Sequence, residues 1–219
     1  LYCIGEGNPT VILESGVGGN TLLWAYIQPA VAETTRVCAY DRAGYGWSEV
    51  SSHERTTPNM AEELRTLLTQ AGVEPPYILA GHSFGGLVVR TYASLYPDEV
   101  RGLVLIDAVH PNQFSSEQCI PTCFPADAVR LVDTFYDMLP TMARIGVVRL
   151  LVPTGSLPLP FFAVPTDFPN RNALTASLST NTYSDTVLAE WDAFAQSAAY
   201  VNETGHVSNL PVRLITALN

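Results

Sequence analysis

Residues 77–92 have the sequence Tyr77-Ile78-Leu79-Ala80-Gly81-His82-Ser83-Phe84-Gly85-Gly86-Leu87-Val88-Val89-Arg90-Thr91-Tyr92. The apolar run at its start predicts a buried strand, and the last six residues predict a helix. Between them stands the pattern G-x-S-x-G, centred on Ser83. Glycines two positions before and after this serine allow a sharp strand-to-helix turn that exposes its hydroxyl. Ser83 is therefore a candidate nucleophile. The alternative is a glycine-rich turn with an inert serine.

The composition indicates one sizeable core and argues against two classes of partner. The chain has 219 residues, of which 47% are hydrophobic and 15% are charged, and this fits one domain with an insertion. No apolar run approaches the ~20 residues that span a bilayer, so we predict no transmembrane segment. The formal net charge of −10 argues against nucleic acid and anionic membrane surfaces as partners.

The cysteines leave the cellular compartment open. Cys119 and Cys123 lie in a polar stretch, where a local disulfide is an open alternative. A metal site there is not expected, because the sequence offers no second pair of ligands. Cys3 and Cys38 lie in apolar strand-like runs, and we expect them to be buried thiols. Nothing in the sequence implies a cofactor or a metal.

Strand-like and helical segments alternate over the first half of the chain. The predicted strands are residues 1–4, 10–14, 36–40, 77–80 and 100–106. An amphipathic helix is predicted at 59–71, since its apolar residues recur at helical spacing. This alternation predicts an α/β fold with a mostly parallel sheet and helices on both faces. Ligands bind such sheets beyond the carboxyl ends of the strands.

From residue 109 to residue 207 the pattern changes to proline-rich helical sequence. Two amphipathic helices are expected, one through Val132, Phe135, Tyr136 and Leu139, the other through Val187, Trp191, Phe194 and Ala198. A last strand is predicted at 213–217. We therefore divide the chain into a core (1–108), a helical cap over the strand ends (109–207) and a return to the core (208–219).

Three motifs carry a resemblance to a known family. They are residues 14–19 (Glu-Ser-Gly-Val-Gly-Gly), 41–48 (Asp-Arg-Ala-Gly-Tyr-Gly-Trp-Ser) and 81–85 (Gly-His-Ser-Phe-Gly). On these the chain resembles the α/β-hydrolase superfamily, in the capped branch that includes epoxide hydrolases, haloalkane dehalogenases, carbon–carbon bond hydrolases and many esterases. Ser83 argues against the epoxide hydrolases and dehalogenases, in which the family uses an aspartate at this position. The resemblance leaves an ester, thioester, lactone, amide or carbon–carbon bond as the target.

The resemblance also implies the groups around the nucleophile. The backbone N–H groups of Val17 and Phe84 are expected to form the oxyanion hole. Asp107 ends the strand after the elbow helix, where some members of the family carry the catalytic acid. Most members carry that acid one strand later, so Asp107 as a turn residue stays open.

The general base is the part of the site that the sequence leaves unassigned. In the family it is a histidine beyond one further strand and helix, whereas this chain stops near the penultimate strand and begins near the second. We therefore expect a sequence clipped at both ends, with the base beyond Asn219. His82 should turn its ring away from the site, and His53 should be solvated. His110 could line the site, and His206 stays open as a substitute base.

These observations predict a serine hydrolase that acts through an acyl-enzyme on a small apolar substrate. The cap would select that substrate, with Phe161, Phe162, Trp191 and Phe194 as wall residues. One alternative is a non-catalytic binding protein or structural subunit of a larger assembly, which would explain the missing base. A second alternative is a carbon–carbon bond hydrolase.

Overall fold

The fold is built on a mostly parallel sheet. The structure, a computed structural model, describes residues 1–113, 126–154, 165, 167–204 and 209–216. Within these ranges the sheet has six strands in the order β1-β3-β2-β4-β5-β6, and all pairs are parallel except β1 with β3. The strands are β1 (Tyr2–Ile4), β2 (Thr10–Glu14), β3 (Val37–Ala39), β4 (Tyr77–His82), β5 (Val100–Ile106) and β6 (Val212–Ile215). The predicted α/β class is confirmed.

Helices cover the sheet on both faces. Those of the first half are α1 (Ile27–Ala32), α2 (Thr57–Gln70) and α3 (Gly85–Leu95). Alternate residues of a strand point to opposite faces. Ile12 accordingly packs with residues of α2 and α3, whereas Val11 and Leu13 pack with Trp24 and α1 on the other side. The carboxyl ends of β2, β4 and β5 meet at one edge of the sheet.

Five helices lie between β5 and β6 in the described part of the chain. They are α4 (Ala126–Arg144), α5 (Val147–Leu151), α6 (Arg171–Leu178), α7 (Asn181–Asp192) and α8 (Phe194–Thr204). The helix predicted through residues 187–198 is wrong as a single element, because α7 ends and α8 begins around Ala193. No glycine or proline marks this break, and the apolar spacing runs across it. None of the described helices combines the length and apolarity needed to cross a bilayer.

These five helices, called the insertion below, have an apolar core of their own. Tyr136, Leu139, Leu174 and Val187 are buried in it, and Tyr45 from the first half of the chain joins them. Helix α8 packs on α3 beside the turn that carries Ser83. The insertion therefore contacts the rest of the chain next to the candidate nucleophile. The predicted wall residues Phe161 and Phe162 lie outside the described residues.

The expectation of buried thiols at Cys3 and Cys38 is wrong, since the two residues form a disulfide. They stand directly opposite each other on the antiparallel strands β1 and β3, with Cα atoms 4.0 Å apart. Strand propensity indicated both strands but not their pairing register, which places the two sulfur atoms together. Cys119 and Cys123 lie outside the described residues.

Removing this disulfide should destabilise the fold. It closes a loop between residues 35 positions apart, and loss of that constraint on the unfolded chain corresponds to about 3–4 kcal/mol. We expect the Cys3→Ala/Cys38→Ala variant to lose that much free energy of unfolding in urea denaturation. The wild-type protein under reducing conditions is the control and should lose a similar amount. Equal stability of the variant and the oxidised wild type would contradict the prediction.

Candidate active site

Ser83 lies in a sharp turn between β4 and α3. Its φ is +51°, in the left-handed region that residues other than glycine rarely occupy. Its N–H donates to the Ile106 carbonyl at 3.1 Å, and its own carbonyl accepts from Gly86 at 3.0 Å and Val109 at 3.1 Å. Neighbouring strand and helix backbone thus holds a conformation that is unfavourable by itself.

The glycines on both sides of Ser83 are required by close backbone contacts. A Cβ on Gly81 would lie 2.5 Å from the Gly85 carbonyl oxygen. A Cβ on Gly85 would lie 2.6 Å from the carbonyl oxygens of Glu14 and Ser15. Neither position can take a side chain unless the backbone moves. The packing therefore explains the G-x-S-x-G pattern independently of chemistry at the serine.

The loop after β2 lies directly over the serine. A Cβ on Gly16 would be 3.0 Å from Ser83 Cβ and 3.4 Å from Ser83 Oγ. The next residue, Val17, and the residue after the serine, Phe84, line one cavity with Ser83. The backbone N–H groups of Val17 and Phe84 donate to no acceptor among the described residues. The site therefore holds two free amide donors beside one hydroxyl.

Asp107 lines the same cavity as Ser83. It follows β5 directly, has a φ of +43°, and donates its N–H to the Ile215 carbonyl of β6 at 2.6 Å. The sequence placed Asp107 at this edge of the sheet, and the structure brings it to the cavity of the serine. Within the described ranges no hydrogen bond joins the two side chains.

The expectation that His82 turns away from the site is wrong. His82 lines the cavity, and its Nδ1 lies 3.3 Å from the position that a Cβ on Gly16 would take. Partial burial lowers the pKa of His82, and the negative charge of Asp107 opposes that shift. No hydrogen bond to Ser83 Oγ is formed by His82 or by any other described residue.

The remaining described histidines make contacts of their own. The His53 side chain is 69% exposed and lies 4.0 Å from Glu63. The Nδ1 atom of His110 accepts from the Asn112 N–H at 3.1 Å. His206 lies outside the described residues. In the described ranges, no three His, Cys, Asp or Glu side chains are grouped as metal ligands would be.

The cavity has a volume of about 350 Å³ and is walled mainly by apolar side chains. Val17 and Leu23 contribute from the first half of the chain, and the insertion contributes Tyr136, Trp191 and Phe194. The Trp191 and Phe194 rings lie 5.6 Å apart between centroids, so they form one continuous aromatic wall. Trp191 and Phe194 were both predicted as wall residues, and in the structure they line the same cavity as Ser83.

A buried ionic cluster adjoins the loop over the serine. Arg42 is 4% exposed and donates to Glu14 at 2.5 Å. It also donates two hydrogen bonds to the carboxylate of Glu190, on α7, at 2.8 and 2.9 Å. Burial disfavours the charge on Arg42, but the two carboxylates hold its pKa well above the usual value. Arg42 belongs to the motif at residues 41–48, but no sequence pattern indicated its partner Glu190. Glu14 and Arg42 are charged residues at or just after strand ends, whereas Glu190 lies within α7 and has no comparable local signal.

Comparisons with known proteins show the family of this chain and its fold. A sequence profile described as the alpha/beta hydrolase fold matches residues 9–138. An AB hydrolase superfamily protein of Gibberella zeae is 36% identical over 111 residues, which cover 50% of this chain and 34% of that protein. The chain spans less than half the length of the curated relatives that it matches.

Two solved structures show the same fold. The epoxide hydrolase CorEH without ligand gives a TM-score of 0.66 at 21% identity, with 98% of this chain and 75% of that chain covered. A thermophilic esterase from Thermogutta terrifontis with malate bound also gives 0.66, at 18% identity, with 98% and 73% covered. At these identities the likeness concerns the fold alone.

Proposed function

Because this chain belongs to the α/β-hydrolase fold family, we propose that it is a serine hydrolase that cleaves an ester or related acyl bond of a small apolar substrate. The observation that carries the proposal is the position of Ser83. Its hydroxyl lies in a strained, half-buried turn beside two backbone N–H groups that have no acceptor among the described residues. Free donors beside a hydroxyl suit the stabilisation of a developing oxyanion.

The proposed reaction has two chemical steps. Ser83 Oγ attacks the substrate carbonyl while a base takes its proton, and the carbonyl oxygen becomes an oxyanion held by Val17 and Phe84 N–H. The tetrahedral intermediate then expels the alcohol, which receives the proton from the protonated base. Water, activated by the same base, releases the acid from the acyl-enzyme. Asp107 would orient the base and stabilise its charge.

We assign the base to a histidine of the full-length protein outside the residues that the structure describes. Two described histidines have other contacts and do not reach Ser83. His53 lies beside Glu63, and His110 accepts a hydrogen bond from Asn112 in its own loop. His82 faces the site but forms no hydrogen bond with the serine in the described structure.

We also propose that residues 109–207 act as a cap that selects the substrate. The support is the aromatic wall that Tyr136, Trp191 and Phe194 contribute to the cavity of Ser83. An apolar wall favours acyl or aryl groups over sugars and charged groups, because burial of a charged group without a partner is costly.

Two other functions would use the same cavity. A carbon–carbon bond hydrolase would need the same nucleophile and oxyanion donors, so only the substrate separates it from an esterase. A non-catalytic binding protein or subunit of an assembly is favoured by one observation, the absence of a described base at Ser83 Oγ. Activity of the full-length protein discriminates among the three.

A panel of p-nitrophenyl esters tests the proposal with the full-length protein. We expect the butyrate to exceed the acetate in kcat/KM by roughly 10-fold, since each buried methylene contributes about 0.8 kcal/mol. The negatively charged succinate half-ester should be the poorest substrate. A vinylogous 1,5-diketone, which reports carbon–carbon cleavage, should be turned over much more slowly than the butyrate. A preference for the diketone would favour the carbon–carbon bond hydrolase. If no compound is turned over, both the ester hydrolase and the carbon–carbon bond hydrolase are contradicted.

A further inference from the structure

The guanidinium of Arg42 connects the loop over the serine to helix α7 of the insertion. On one side, Nη1 donates to the Ser15 carbonyl at 2.5 Å and Nη2 donates to the Gly16 carbonyl at 2.8 Å. On the other side, Nε and Nη2 donate to the two carboxylate oxygens of Glu190 at 2.9 and 2.8 Å. Arg42 and Glu190 are buried, so solvent does not compete for these bonds.

The bond to Gly16 has a consequence for the neighbouring amide. The Gly16 carbonyl and the Val17 N–H belong to one planar trans peptide and therefore point in opposite directions. By holding the carbonyl, Arg42 sets the direction of the Val17 N–H, which is a proposed oxyanion donor. A second bond from the Gly19 N–H to the same carbonyl, at 3.0 Å, supports this orientation. The positive charge at the carbonyl also polarises the peptide and strengthens its N–H as a donor.

Glu190 holds Arg42 in a fixed position from the insertion side. The two parallel bonds of the carboxylate to Nε and Nη2 define the plane of the guanidinium, which a single bond would not. The Tyr45 hydroxyl donates to the same carboxylate at 2.8 Å, and Arg55 Nη2 lies 3.9 Å from it. The carboxylate is therefore itself fixed by two further groups from the connection between β3 and α2.

We propose that Glu190 is a positioning residue of the reaction, which acts through Arg42 to aim the Val17 N–H at the oxyanion. This inference rests on the proposed function. It couples two parts of the molecule, because the oxyanion hole is complete only when helix α7 is docked on the loop. The insertion then contributes to the rate as well as to the walls of the cavity.

Glu190→Gln tests the inference in the full-length protein. The variant keeps the shape of the side chain, and Glu14 still supplies a carboxylate to Arg42, so the fold should persist. Removing an oxyanion donor outright lowers kcat by about 10²–10³-fold. A misdirected donor should lower kcat by about 10- to 100-fold with KM within twofold, because the oxyanion exists only in the transition state.

Ser197→Ala is the matched control. Its hydroxyl accepts from the Thr57 N–H at 3.1 Å, so it also joins the insertion to the first half of the chain through a buried hydrogen bond, but without contact to Arg42. It should lower the melting temperature and leave kcat within twofold. A merely structural role of Glu190 predicts the same pattern for both variants. If Glu190→Gln fails to fold, Tyr45→Phe replaces it, with an expected two- to fivefold loss in kcat at unchanged KM.

A crystal structure of Glu190→Gln separates failure of this inference from failure of the proposed function. We expect the peptide between Gly16 and Val17 to rotate, with loss of the bond to Arg42. Normal kcat, or an unmoved peptide, would overturn the inference even when the wild-type protein is an active hydrolase. If the wild-type protein hydrolyses no ester, the proposed function fails, and the orientation of this peptide alone decides whether Glu190 positions it.

Discussion

Replacing Ser83 with alanine should abolish ester hydrolysis by the full-length protein. The nucleophile forms the covalent intermediate, and loss of such a residue lowers kcat by about 10⁴- to 10⁶-fold. The remaining rate would come from substrate binding and the oxyanion donors. The fold should be little affected, because alanine keeps the backbone hydrogen bonds that hold the turn. The measurement is kcat for p-nitrophenyl butyrate, together with thermal unfolding of both proteins.

Ser94→Ala provides a control on α3, the helix that follows Ser83. The Ser94 hydroxyl donates to the Thr204 carbonyl at 2.8 Å and does not line the cavity. This variant should keep kcat within twofold. Retention of wild-type activity by Ser83→Ala would place the nucleophile elsewhere and remove the basis of the proposed mechanism.

Asp107→Asn should lower kcat by about 10⁴-fold if Asp107 is the acid of the triad, because an amide leaves the histidine in the wrong tautomer. Stability should hardly change. Asparagine tolerates the left-handed conformation that Asp107 adopts, at a φ of +43°, about as well as aspartate does. The measurement is kcat in parallel with thermal unfolding.

Asp98→Asn makes the same change of charge on an exposed turn and should leave kcat unaltered. Near-normal kcat for Asp107→Asn would move the acid to another residue. The main role of Asp107 would then be to join β5 to β6 through the hydrogen bond from its N–H to the Ile215 carbonyl.

The parts of the molecule with a local sequence signal were predictable. The strand at residues 10–14 has the bounds expected, and so does the strand at 100–106. Short apolar runs bounded by turn residues are sufficient for such assignments. The turn at Ser83 was equally clear, since two glycines are needed where backbone segments approach each other. Membership of the α/β-hydrolase family was predicted from this motif together with those at residues 14–19 and 41–48, and it is confirmed.

Features that depend on pairing across the chain were not predictable. The disulfide needs the register of β1 against β3, which neither strand encodes alone. Glu190 and Arg42 are 148 positions apart in the sequence, and no motif around Glu190 indicates that the two side chains are in contact. The position of His82 depends on how the loop over the serine packs, so turn geometry alone led to the wrong orientation. In each case the contact depends on tertiary packing, which cannot be deduced from the pattern of a single sequence.

If Ser83 forms a covalent intermediate, a reagent that reacts with activated serine residues should leave an adduct at Ser83 Oγ. A fluorophosphonate probe reacts with an activated serine hydroxyl by displacement of fluoride, which leaves a stable phosphonyl ester. The full-length protein should take up one equivalent of probe, and peptide mass spectrometry should locate the added mass on Ser83. Ser83→Ala should take up none. Undiminished labelling of that variant, or an adduct located on another residue, would contradict the account.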